Sequence, residues 1–173
     1  MWLWVVSAIV IAVGFVAFTG APYVPSKRSD LRRAFTELYP LGSDDMLVDI
    51  GSGDGVVLRE ASRHGARAIG YEIHPALVLV SKFLSRRDPR IQTKLANFWH
   101  AELPAGTTVV YTFGEDRDIA RMYDKVQSEA TRLGRHLAFV SYAFEIKGRP
   151  PTRSVGAHHL YDIEPLHNRD TPV

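Results

Sequence analysis

From Trp2 to Ala21 the chain is almost continuously apolar, twenty residues without a charge. At about 1.5 Å per residue, such a helix spans roughly the 30 Å of a bilayer's hydrocarbon core. The run therefore predicts a transmembrane helix over 1–21. Two prolines make 22–28 a stiff connector. Beyond it, apolar positions alternate between two patterns. Leu31, Ala34, Phe35, Leu38 and Tyr39 share one helical face, which Ser29 or Asp30 can cap and Pro40 and Gly42 end. Short apolar or β-branched runs predict strands over 46–50, 67–72, 91–96, 107–113, 136–144 and 158–163. Helical periodicity predicts crossover helices over 54–64, from Pro75 through Leu84, and over 117–133, with Gly134 at the C′ position of the last. The two prolines and polar residues of 148–156 read as a loop, and the tail over 166–173 as flexible. Strands alternating with helices predict a doubly wound, mostly parallel α/β sheet over 29–165.

A cleaved signal peptide would want lysine or arginine before the apolar run, where only the α-amino group is available. Pro22 follows the small residues at 19–21 and disfavours cleavage there, so a retained single-pass anchor is expected. Lys27, Arg28, Arg32 and Arg33 place the domain on the cytoplasmic side of the inner membrane. The same cations could contact anionic lipid headgroups or form the solvated face of a helix. A net charge of +2 leaves no global nucleic-acid footprint, although the pI is near 9.0. The absence of cysteine excludes thiolate zinc sites, iron–sulfur clusters and a cysteine nucleophile. The seven histidines form no spaced ligand set, and His158 and His159 on one strand would point to opposite faces, so no metal is expected.

The richest stretch is Met46-Leu-Val-Asp-Ile-Gly-Ser-Gly-Asp-Gly55. An apolar run ends in Gly51, Gly53 and Gly55, and an amphipathic segment follows. Strand, glycine turn and helix bring bare backbone N–H groups and a helix N-terminus to a ligand. Asp49 precedes the turn, and Glu72 ends the next strand, 23 residues on. In open α/β sheets ligands bind at that carboxyl edge. A nicotinamide or flavin site would put its third glycine three places after the second, where this chain has Val56.

The pattern Asp-x-Gly-x-Gly-x-Gly with a distal Glu72-Ile73-His74-Pro75 resembles class I S-adenosylmethionine-dependent methyltransferases. The resemblance implies a Rossmann-like methyltransferase sheet, trimmed from the family's seven strands, with S-adenosyl-L-methionine as cofactor. It implies ribose binding by Glu72 and close backbone approach to the methionine portion and sugar at Gly51, Ser52, Gly53 and Gly55. Asp49 would orient the turn or meet the cofactor's ammonium; Asp54 would cap the helix or touch ligand; Ile73, Asn97 and Phe98 would lie near the adenine, or Phe98 would pack in the core. Enzymes of this kind that methylate adenine or glutamine nitrogens carry Asn/Asp-Pro-Pro-Tyr/Phe after the fourth strand. Here the segment is Thr112-Phe113-Gly114-Glu115, which disfavours that chemistry and nucleic acid as a partner. Tyr111 and Glu115 are the candidates to meet a cationic acceptor.

The apolar anchor, Pro22-Tyr-Val-Pro-Ser26, Ala68-Ile-Gly-Tyr-Glu72, Asn97-Phe-Trp99 and Val109-Val-Tyr-Thr-Phe-Gly114 are together similar to a narrower group, the small membrane-anchored lysine methyltransferases. Mitochondrial members of that group modify the ATP synthase c-subunit and the adenine nucleotide translocase. This implies a membrane-embedded protein substrate. A small-molecule or lipid-amine methyltransferase and a non-catalytic cofactor sensor are the alternatives. The chain departs from the group at Asn97, where relatives carry Asp, and at His74, where they usually have Asn.

Overall fold

The computed structural model describes residues 28–114 and 117–166, together with positions 2, 4 and 7. Helix α1 (Arg28–Arg33) widens into a π-helical turn, Ala34–Leu38. Tyr39 N–H reaches back to the Ala34 carbonyl at 2.9 Å, and Pro40 has no N–H with which to continue the ladder. The predicted uniform helix therefore ends in a wider turn. Next come β1 (Met46–Ile50), α2 (Val56–Arg63), β2 (Arg67–Glu72), α3 (Pro75–Ser85) and β3 (Ile91–Leu95). A 3-10 turn, Phe98–His100, leads to β4 (Val109–Thr112), α4 (Ile119–Leu133), β5 (Leu137–Tyr142), β6 (Arg153–Val155) and β7 (His158–Ile163).

The strands form one sheet in the order β3-β2-β1-β4-β5-β7-β6. Neighbours are parallel from β3 to β5, and β7 runs antiparallel to both β5 and β6. The trimmed, six-stranded expectation is thus corrected to a sheet of seven. The added strand, β6, lies within 148–156, the stretch expected to be a loop. It is three residues long, mostly polar and at the sheet edge, and among the described residues β7, across a turn where Gly156 takes φ 61°, is its one strand partner. A strand so short carries no periodicity to read, and its register comes from the hairpin alone.

Strand β1 is buried along its whole length, the usual state of a central parallel strand and the reason its sequence is a continuous apolar run. Alternate side chains feed two cores. On one face Leu47, Tyr111 and Val140 meet Leu31, Phe35, Val57 and Leu58 from α1, the π turn and α2. On the other Val48, Ile50, Val110 and Phe139 meet Ile119, Val126 and Ala130 of α4. The predicted membrane span lies almost wholly outside the described residues; among those, no helix is long and apolar enough to cross a membrane.

Candidate functional site

Strand order reverses beside β1, where the chain leaves for β2 on one side and β4 on the other. Gly51, Gly53 and Gly55 bend the chain there with φ of 73°, 53° and 81°, a left-handed region that residues with a Cβ avoid. A Cβ built on Gly51 would meet no atom within 4 Å, so this side of the turn is open. The N–H groups of Gly51 and Ser52 both donate to the Tyr71 carbonyl, at 2.9 and 3.1 Å, which ties the turn to β2.

Glu72 is buried at the end of β2 and fastens two segments. Its Oε2 accepts from Gly53 N–H at 2.9 Å, and its Oε1 accepts from His74 N–H at 2.8 Å, at the start of α3. Each carboxylate oxygen keeps a second lone pair for a ligand hydroxyl. Asp49 is only 2% exposed, and no hydrogen bond to its carboxylate is formed among the described residues. Burial above all, and then the charges of Glu72 and Asp54, hold its carboxyl well above the ordinary carboxylate range. Asp54 accepts from Val56 N–H at 3.0 Å and pairs with Arg59 at 3.0 Å, so it satisfies a free donor of α2 that the N-cap Gly55 cannot.

Two residues given no role in the sequence reading, Gly70 and Ser81, shape this turn. A Cβ on Gly70 would fall 2.3 Å from Ser52 Oγ and 2.8 Å from Leu58 Cδ1. Gly70 stands beside Asp49 in the β1–β2 register, so the bare position in β2 is the seat into which Ser52 fits. A Cβ on Gly55 would likewise fall 2.3 Å from Ser81 Oγ of α3, whose hydroxyl lies 2.6 Å from Thr93 Oγ1 on β3. A glycine inside a strand was the available signal, because it marks close approach of other backbone.

The remaining candidates separate. Ile73 is exposed directly after Glu72, at the rim of the turn. Asn97 is exposed and caps the 3-10 turn through Trp99 N–H at 3.0 Å, with its amide N–H₂ left over. Phe98 is buried in the core on the α4 face. Tyr111 is fully buried in the opposite core, its hydroxyl 3.1 Å from His158 Nε2 and its ring edge-on to Phe35. It stands next to Asp49 in the β1–β4 register, one layer below the rim. Glu115 lies outside the described residues. Its near neighbour Phe113 is 36% exposed and stacks on Tyr142 with ring centroids 5.1 Å apart, so an aromatic wall borders the carboxyl ends of β4 and β5. His158 and His159 do face opposite ways, toward Tyr111 and toward Ser154.

The site thus offers an open glycine turn, a buried carboxylate with lone pairs free for hydroxyls and a second buried carboxyl beside it. These fit a nucleoside that carries an amino acid. A family model described as the ANTKMT methyltransferase domain matches residues 49–153. The ATP synthase c-subunit lysine N-methyltransferase of Xenopus laevis is 29% identical over 120 residues, 68% of this chain and 52% of that protein. Its Homo sapiens counterpart is 31% identical over 120 residues, 68% of this chain and 50% of its own length. The chain therefore spans about half the length of the curated relatives it matches. An RNA methyltransferase from Salinibacter ruber, solved with S-adenosyl-L-homocysteine, superposes with a TM-score of 0.73 at 24% identity. That match covers 85% of this chain and 98% of the other, and shows a shared fold. With the glycine turn, both acids and the seven-stranded sheet inside or beside the matched segment, this chain belongs to the ANTKMT methyltransferase domain family.

Proposed function

We propose that this chain is an S-adenosylmethionine-dependent methyltransferase that methylates lysine side chains of a membrane-embedded protein. The observation that carries the reading is the pairing of Glu72, which already holds Gly53 N–H, with the buried Asp49 below the same turn. When bound, the cofactor supplies an activated methyl sulfonium, so the protein's task is to hold the acceptor nitrogen in line and keep water out. Glu72 takes the ribose hydroxyls on its free lone pairs, and the open side of Gly51 admits the nucleoside against backbone. Asp49 would receive the ammonium as its ionised carboxylate, its proton passing to solvent. Phe113 and Tyr142 wall the approach. Desolvation at that wall lowers the proton affinity of a lysine ammonium and so favours the neutral amine that attacks.

The lysine acceptor is supported by the names of the relatives. The membrane setting is supported by the uncharged run Trp2–Ala21 and the cations that follow it. Trp2 and Trp4 are helical and exposed, and tryptophan is enriched at the membrane–water boundary. We assign the chain to the inner membrane, with its domain on the cytoplasmic side. The test supplies radiolabelled cofactor to membranes containing the full chain. Label on a protein band, released as methyl-lysine on hydrolysis, supports the reading. Label confined to the lipid extract, or tight cofactor binding with no transfer, overturns it.

A further inference from the structure

Helix α3 buries Val78 and two serines and exposes four large apolar residues. Val78, Ser81 and Ser85 face inward, while Leu79, Val80, Phe83 and Leu84 are 68, 45, 63 and 48% exposed. The inward choice follows from packing, because Ser81 must fit over Gly55 and bond Thr93. The outward choice has no such cause within the domain. Where α3 ends, Leu84 borders a cleft of about 350 Å³ that Arg59, Arg63, Arg87 and Arg90 also line. Asp54, Glu60 and Asp88 pair with three of these arginines. Among the described residues Lys82, Arg86 and Arg87 make no ion pair, and the Arg86 guanidinium lies over the Phe83 ring at 4.2 Å.

A helix with large apolar residues outward and cations beside them is the pattern of an interfacial helix, and basic clefts at that level take lipid headgroups. α3 packs on the same sheet face as α1: Ile91 and Thr93 of β3 line the side on which α1 and α2 sit. Arg32 of α1 lies 3.6 Å from Glu60, which also holds Arg63 at the cleft. The six residues between Ala21 and Arg28 reach at most about 20 Å when extended, so an anchor over 1–21 keeps this face at the bilayer. A second copy docked here across a two-fold axis would set Lys82, Arg86 and Arg87 against like charges.

We propose that α3 lies in the surface of an anionic bilayer, with Leu79, Val80, Phe83 and Leu84 immersed and the arginine cleft holding a lipid phosphate. The proposal rests on the membrane-anchored reading, which brings this face to the lipid. Helix α3 begins at Pro75, three residues after Glu72, so docking holds the cofactor edge at headgroup level, where the exposed end of a membrane-protein substrate is within reach.

The chain contains no cysteine, so single spin labels can be placed on the full-length protein at Leu79→Cys, Phe83→Cys and, on α4 across the sheet, Ser128→Cys. Each is reconstituted into nanodiscs of phosphatidylcholine with or without phosphatidylglycerol. With anionic lipid, the labels at 79 and 83 are expected to lose relaxation by an aqueous nickel chelate and gain it from oxygen, while the label at 128 stays aqueous. Arg87→Glu with Arg90→Glu returns the first two to water. Labels at 79 and 83 as aqueous as the one at 128, in discs that retain the chain through a carbonate wash, overturn the proposal and leave the anchor standing. Equal immersion in both lipids overturns the headgroup site, and dipolar broadening between chains overturns the lipid occupant in favour of a dimer. Loss of the chain in the wash overturns the anchor instead.

Discussion

Asp49 joins stability to function at a single carboxyl. Its folded-state proton affinity is raised, chiefly by burial, so folding is favoured by protonation. The stabilising effect is complete below the ordinary carboxylate value of about 4 and is lost as pH rises through the higher folded value. Asp49→Asn keeps the shape and removes the titration. Its thermal midpoint is expected to exceed that of the wild type at pH 7, by a margin that vanishes near pH 4. The same variant should lose cofactor product affinity by about tenfold or more, or ~1.4 kcal/mol. Calorimetry in buffers of different ionisation enthalpy should show a proton released on wild-type binding and none for the variant. At the rim, Phe113→Ala should lower kcat/KM roughly tenfold through weaker acceptor placement. The dissociation constant for S-adenosylhomocysteine should stay unchanged, and a parallel rise in it would move Phe113 to the cofactor side. Asp49, Glu72 and the three glycines were legible beforehand because the turn is a local sequence pattern. The inward-facing ring of Tyr111 was not, since only the register of β4 beside β1 decides which face its side chain takes.

Among the elements, the turn after β1 depends on absences in its neighbours. Gly70→Ala forces a methyl group into Ser52 and Leu58, atoms held by backbone bonds to Tyr71 on one side and by the core on the other. Overpacking of this kind costs about 1–3 kcal/mol. A lowered melting temperature together with weakened S-adenosylhomocysteine binding is expected, and a fall in melting temperature alone would separate Gly70 from the site. Strand β7 shows the opposite sensitivity to acid. Burial pushes His158 down to about 4, against a smaller opposing pull from Asp30. A group whose folded value is depressed gives stability that is full above its unfolded value of about 6.5 and lost as pH falls toward 4. That loss is of order 3 kcal/mol at pH 4, so His158→Gln should flatten the acid limb of the stability profile measured by denaturant unfolding. Strand β6 could not be anticipated, for it borrows its hydrogen bonds and register from β7 and has no pattern of its own.

Over the whole molecule, the proposed anchor and the proposed bilayer contact of α3 together would confine the enzyme to a surface. Confinement to two dimensions raises the effective concentration of a membrane-bound target. Deleting residues 1–27 should leave cofactor affinity intact and sharply reduce methylation of membrane targets, read by labelled-methyl incorporation. Undiminished incorporation would remove the reason for an anchor. The division of information is physical. Local order along the chain was enough for the alternation of strands and crossover helices, the glycine turn between its two acids and the family they point to, because hydrophobic period and backbone freedom act over a few residues. Contacts between residues far apart in the chain settled the rest: the seventh strand, the seat at Gly70, the buried Tyr111–His158 pair and the outward face of α3. Each depends on which side chains meet once the sheet has closed, and no neighbour in sequence carries that.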